Sequence, residues 1–303
     1  MAVQFAILIT TKNRLTDLRI TLKHLESLIG DARVEIIICD DGSTDGTSQY
    51  IKDHYKKIEV IKNNKNKGLI YSRNLLLNRT KAKYAITLDD DAHFLSDNIL
   101  EEIDCYFVKN TNCAVMACRI FWGKVAPINK ETNDKPERVK GFVGCGHIWR
   151  MEAWNEIPNY PEWFIFYGEE EFASFQLYKK GWEVHFTPQI LVQHRVEVKA
   201  RKKDKDYTIR LRRSLRSGWY LYALFYPLPT IPKKMTYSIW MQLKLKVFKG
   251  DVKAAKAIMM AFLDFGYNVP RLLKNRNGFS KNDFENFFKI EDTKVYWSPK
   301  ENK

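Results

Sequence analysis

Four apolar runs of strand length, 5–9, 34–39, 58–61 and 84–88, alternate with helical patterns and polar loops. After the first run, Leu18, Leu22, Leu25 and Leu28 recur at helical spacing up to Gly30. Helices are also predicted over 48–55 and 69–77. Each strand is nearly continuously apolar, so both of its faces must be covered. That pattern predicts an α/β fold, a Rossmann-like, mostly parallel sheet with helices on both sides. Such sheets bind ligands beyond the carboxyl ends of their strands. Residues 10–14, 40–47, 66–68 and 89–91 all lie at or just beyond those ends, so the topology sends them to one crevice.

The tip after 84–88 is the most acidic. Asp89, Asp90 and Asp91 follow Ile86 and Leu88 directly. Adjacent carboxylates repel and raise one another's pKa unless a cation sits among them. Oxygen ligands suit Mg²⁺ or Mn²⁺, and Mg²⁺ commonly joins one or two carboxylates to substrate phosphates. The reading is a divalent cation holding a diphosphate; the plain alternative is a solvated acidic turn. An EF-hand is out of register. No GxxxxGK[ST] or GxGxxG loop is present, so nucleotide binding would rest on side chains and metal. Asp41 can accept from a base N–H, and Arg73 can reach a base or phosphate; residues 40–47 also read as an ordinary turn and helix cap.

Further on, a helix is expected over 99–108, a strand over 114–118 and a loop over 124–140. Residues 141–147 hold three glycines, which let backbone approach a ligand or cross the sheet. Aromatics from Trp163 to Tyr167 lead into Glu169, Glu170 and Glu171. These acids favour a helix N-terminus; beside aromatics, one of them also suits a general base. Strands over 182–186 and 190–194 follow, the second ending on His194, which can ligate metal.

Net charge of +14 implies an anionic partner: a phosphorylated substrate, nucleic acid or an acidic membrane. Five cysteines without a CxxC pair argue against zinc ribbons and for reduced, cytoplasmic thiols. No signal peptide is visible. Residues 199–216 carry nine basic residues against two acids. The aromatic stretch 219–232 and helices over 235–248 and 251–266 follow. A basic segment beside aromatics predicts a peripheral anchor on an anionic membrane, here the inner face of the plasma membrane; the alternative is a helical extension with a solvated basic face. Residues 275–303 read as polar. A nucleic-acid-binding protein is the competing class, but no RNP, KH, zinc-finger or helix-turn-helix signature is present, so no nucleic acid is expected. A nucleotidyltransferase would need a Gly-rich first loop that is absent.

Thr-Thr-Lys-Asn-Arg after the first strand, Asp-Asp-Gly-Ser-Thr-Asp-Gly-Thr after the second, Asn66-Lys67-Gly68 with Arg73-Asn74, Leu-Asp-Asp-Asp, and Gly-Glu-Glu-Glu closed by Lys-Lys-Gly resemble, in that order, the family 2 nucleotide-sugar glycosyltransferases of GT-A fold. The resemblance covers about 3–195. It implies a catalytic domain over 1–198, divided into a nucleotide-binding half (1–98) and an acceptor-binding half (99–198), followed by a helical extension over 199–303. It further implies inverting transfer from a nucleoside-diphosphate sugar, UDP- or dTDP-linked, to a hydroxyl of a glycan or lipid-linked acceptor. Thr10 and Asp41 would hold the base. Thr11, Asn13, Arg14, Gly68, Arg73, Asp89 and Asp90 complete the nucleotide set. Asp91 and His194 would hold the Mg²⁺ or Mn²⁺ ion. Glu170 matches the catalytic base, with Glu169 before it; the family usually has Asp at the base and often an acid where this chain has Phe172. Gly144, His147 and Trp163 are the acceptor-side candidates.

Overall fold

The computed structural model describes residues 3–196 and 206–294. The expected alternation is present. Strand β1 (Phe5–Thr11) leads to helices α1 (Leu15–His24) and α2 (Glu26–Ile29), and β2 (Val34–Asp40) to α3 (Thr47–His54). Strand β3 (Ile58–Lys62) precedes α4 (Leu69–Arg79), and β4 (Tyr84–Asp89) ends at the acids. Then come β5 (Ala92–Phe94), α5 (Ile99–Lys109), β6 (Cys113–Trp122), β7 (Glu137–Val139), β8 (Gly146–Arg150), α6 (Met151–Asn155), α7 (Glu169–Lys179) and β9 (Glu183–His194). Helices α8 (Tyr207–Phe225), α9 (Ile231–Leu245), α10 (Val252–Lys274) and α11 (Lys281–Lys289) complete the described chain.

The sheet runs β3-β2-β1-β4-β8-β6-β9-β5, with β7 on β9. Strands β1 to β4 are mutually parallel, and β8 is antiparallel to β4 and β6. After β3 the strand order reverses, placing β4 on the other side of β1. Register brings the polar ends level: Thr11 pairs with Asp40 across β1–β2, and Thr10 with Asp89 across β1–β4. The crevice therefore opens at the switch point, where the carboxyl ends diverge.

Two apolar layers cover the sheet. Along β1, Ala6 and Leu8 pack into one and Phe5, Ile7 and Ile9 into the other. The alternation follows from the two-residue period of a strand, and it explains why no polar face was visible in these runs.

Several expected boundaries differ. The runs at 182–186 and 190–194 form one strand, β9, in which Thr187 and Leu191 oppose adjacent Cys118 and Arg119 of β6. Pro188, lacking an N–H, sits in the bulge between them. Helix α10 does not stop at Gly266 but continues through Pro270 to Lys274. The 219–232 stretch is not a surface anchor at its start: Trp219, Tyr220, Leu221, Leu224 and Phe225 are buried, and Phe225 lies against Phe172 and Phe175 of α7. The 275–303 stretch is not uniformly polar surface either, because Phe279 and Phe287 pack on Phe175. Residues 199–205 of the basic segment, the boundary at 198 and the chain end from 295 lie outside the described residues. Among the described residues no helix is long and apolar enough to cross a membrane.

Candidate active site

Asp41, just past β2, is buried and organises the loop that follows β3. Its carboxylate accepts from Asn63 Nδ2 and from the backbone N–H groups of Lys67 and Gly68, each at 2.8 Å. Gly68 has φ +100°, a conformation glycine adopts without strain. Asn13, also left-handed at φ 51°, accepts from Thr44 N–H (2.7 Å) and donates its own N–H to Ser43 Oγ (2.9 Å). The loops after β1, β2 and β3 are thus laced into one wall.

The three aspartates part company. Thr11 Oγ1 donates to Asp90 (2.8 Å), and Arg14 pairs with it at 3.3 Å; burial pushes Asp90 up to about 7. Asp91 turns toward β9. Antiparallel pairing of Ala92 with His194 carries the imidazole to the acids. His194 Nε2 lies 3.1 Å from Asp91 Oδ1 and 4.0 Å from Asp89 Oδ2. Against the burial that would raise it, His194 and Arg14 hold Asp91 well below the ordinary carboxylate range.

Ligand atoms of Asp89, Asp91 and His194 all lie within 4.8 Å of one another. Asp91 Oδ1 is buried with no other hydrogen-bond partner than the His194 imidazole beside it. Two carboxylates and an imidazole suit a divalent ion such as Mn²⁺, so the residues present fit the expected cation.

Opposite them, α7 begins at Gly168 (φ +91°) and presents Glu169 and Glu170 in its first turn. Buried Arg73 of α4 ties the two sides together. Its Nη1 is 2.8 Å from Glu169 Oε1 and 3.3 Å from Glu170 Oε1; its Nη2 is 2.9 Å from both Asp89 Oδ1 and the Gly144 carbonyl. Burial, then the Glu170 charge, push Glu169 up to about 8 despite Arg73. Glu170 retains 24% side-chain exposure against 2% for Glu169, so of the two it is the one open to a ligand; Glu171 faces solvent. Gly144 leaves room for both Arg73 and Glu170. A Cβ at that position would collide with the Glu170 carboxylate and come within 2.8 Å of Arg73 Nη1.

These groups line one cavity of about 480 Å³, a size usual for small-ligand sites. Residues 6–173, over half of the chain, match the model of glycosyl transferase family 2. The chain belongs to that family. A curated relative, the UDP-Glc:alpha-D-GlcNAc-diphosphoundecaprenol beta-1,3-glucosyltransferase WfaP of Escherichia coli, is 42% identical over 71 residues, 23% of this chain and 28% of its own length. The match thus spans under a third of that relative. Among solved structures, S. aureus TarS 1–349 in complex with UDP-GlcNAc superposes with a TM-score of 0.58 at 15% identity, over 90% of this chain and 83% of its own. The mannosyltransferase PcManGT of Pyrobaculum calidifontis, in complex with GDP-Man and Mn²⁺, gives 0.54 at 13%, over 95% and 84%. The architecture is the GT-A fold of these neighbours, and the enzyme is a glycosyltransferase.

In this family 2 enzyme the cavity gathers Thr10, Thr11, Arg14, Asp41, Gly68, Arg73 and the three aspartates on one side, and Gly144, Glu169, Glu170 and His194 around them. Asn13 stands behind that wall. Two acceptor-side expectations fall outside the cavity. His147 is buried in β8, held low at about 3 by burial, with Nδ1 3.2 Å from the Val143 carbonyl. Trp163 packs on Phe164 and Tyr220 beneath Arg271. Sequence reasoning missed Trp122, whose ring lies 4.6 Å from that of His194. It also missed Tyr167, a non-glycine residue at φ 72°, and Arg210 and Arg213 of α8, which enter the cavity wall. The only signal for the arginines was the basic run itself, which read as a membrane anchor.

Proposed function

We propose that this enzyme transfers a sugar, with inversion, from a UDP- or dTDP-sugar to an acceptor hydroxyl in cell-surface polysaccharide or glycolipid synthesis. The observation that carries the reading is the placement of Glu170 and the Asp89–Asp91–His194 cluster in one cavity, joined through Arg73. Thr10 and Asp41 hold the base of the donor, and Arg14 and Arg73 face its phosphates. Asp91 and His194, with Asp89, hold Mg²⁺ or Mn²⁺. When bound, the ion neutralises charge on the departing diphosphate. Glu170 accepts the acceptor's hydroxyl proton as that oxygen bonds to the anomeric carbon, and the anomeric C–O bond to the diphosphate breaks on the opposite face. Glu169 stays behind, pairing Arg73 so that the guanidinium keeps its place. Much of the acceleration then comes from positioning and fixed charges.

The likeness to WfaP supports a lipid-linked acceptor, reached from the cytoplasmic face of the membrane. The test is a pair of measurements. UDP with Mn²⁺ should raise the melting temperature, since a ligand of the native state stabilises it, and Asp91→Asn should abolish the Mn²⁺-dependent part. Glu170→Gln should cut transfer by about 10²–10⁴-fold while nucleotide affinity stays within about twofold. Full activity in Glu170→Gln would remove the base assignment.

A further inference from the structure

The exposed apolar surface of this protein is unevenly placed. Of the nineteen exposed large apolar side chains among the described residues, twelve lie between Leu228 and Leu273. Such a concentration marks an interaction surface, whereas scattered exposed apolar residues need no explanation.

Helix α10 shows how it arises. Ala254, Ala257 and Ala261 are buried at spacings of three and four, where the helix lies against α8. Val252, Met259, Leu263 and Pro270 recur at seven and four along the opposite face, a half-turn away at 100° per residue, and all are exposed. An ordinary surface helix is polar on that face. Tyr237 and Trp240 of α9 and Phe248 beyond it extend the patch, each at least half exposed.

Charge selects the occupant. Residues 228–274 contain nine Lys or Arg and two Asp. Asp264 is tied to Arg212 and Asp251 caps α10, so positive charge predominates on this segment. Lys253, Lys256, Arg271 and Lys274 border one edge of the α10 face. A second copy of this chain would bring like charges together, and protein interfaces are depleted of Lys. Nucleic acid would not reward so much exposed apolar surface. An anionic bilayer meets both needs: acyl chains and interfacial aromatics take the apolar face, and acidic headgroups take the lysines.

We infer that the outer face of α9 and α10 is a docking surface for an anionic lipid bilayer, on which the enzyme lies without crossing it. The surface is joined to the catalytic cavity. Arg216 of α8 donates to the Phe164 carbonyl, Arg271 of α10 stacks over Trp163 at 5.5 Å, and the adjoining residues 165–167 form part of the cavity wall. Docking would thus hold that wall at a set height above the headgroups. The inference rests on the proposed lipid-linked acceptor only for its purpose, because binding is read without any acceptor.

The experiment is co-sedimentation of the full chain with phosphatidylglycerol or phosphatidylcholine vesicles, at low and high salt, beside sedimentation velocity without lipid. Binding should favour phosphatidylglycerol and weaken with salt. Phe262→Glu with Leu263→Glu, and separately Lys253→Glu with Lys256→Glu, should each lower the partition coefficient by about tenfold or more. All four side chains are exposed, so both variants should keep the wild-type melting temperature and UDP affinity. Equal binding to both lipids, no vesicle binding, or a lipid-free dimer dissolved by the Phe262/Leu263 variant would overturn the inference. Mn²⁺-dependent UDP binding with no vesicle binding would leave the proposed transfer standing and sink only the docking surface.

Discussion

Arg14 Nη2 lies 2.7 Å from Asp91 Oδ2, so a guanidinium already leans on a carboxylate of the candidate cation cluster. Its charge opposes an incoming metal ion and favours a phosphate. Arg14→Gln should therefore tighten Mn²⁺ binding to the nucleotide-free enzyme and weaken UDP binding. The side chain is 41% exposed, so screening limits each change to about threefold to tenfold. Titration calorimetry with Mn²⁺ alone and with UDP checks the opposed signs; parallel losses would contradict them.

Arg73 neutralises a buried group of acids. Arg73→Met removes the guanidinium that donates to Glu169, at 2% side-chain exposure, and leaves Asp89 and Glu170 without their cation. Breaking a buried pair from one side costs about 3–5 kcal/mol. At neutral pH Glu169 holds a proton and Asp89 and Glu170 keep some exposure, so urea unfolding should show a fall below that range, and Glu169→Gln in the same background should change it little.

Gly144 keeps the space for both of those groups. In Gly144→Ala the new methyl must displace the Glu170 carboxylate or Arg73. A shift of about 1 Å at a reacting group can cost about 10²-fold in rate. Transfer should fall by that order, and UDP affinity should fall with it only where Arg73, proposed to face the donor phosphates, is the group that moves. An unchanged rate would show that Glu170 relocates freely.

Stability should depend on pH through Glu169. Burial and the neighbouring Glu170 charge raise it from 4.5 to about 8, so between these values the folded state holds a proton that the unfolded chain has released. The contribution is complete below about pH 4.5 and is lost as pH rises through about 8. Asp90, raised by burial to about 7, adds a slope of the same sign. Glu169→Gln should flatten the fall in melting temperature across that window; an unchanged slope would place the proton elsewhere.

The parallel half of the fold was legible because its central strands, β1 and β4, are buried on both faces and all four strands read as nearly continuous apolar runs. The acids at 89–91 and 169–171 were visible as candidates for the same reason, being abrupt charge after apolar segments. Within each triplet the sequence could not choose. Asp90 turns to Thr11 and Arg14 while Asp91 turns to His194; Glu169 is enclosed while Glu170 stays open. Adjacent residues share composition and spacing, and only the packing around them differs. Gly144 was named for its small size, but Arg73 and Glu170 supply the reason.

What the chain determined alone is the set of local preferences: apolar runs for strands, helical spacing between them, and polar tips at their ends. Those follow from short-range geometry and hydrophobic burial, which a linear pattern carries. The meeting of His194 with Asp91 required β5 to pair with β9. Arg210 and Arg213 reach the cavity only because α8 folds back with its aromatics buried against α7. Contacts between residues a hundred positions apart depend on which surfaces exclude water together, and that is decided only when the whole chain is packed.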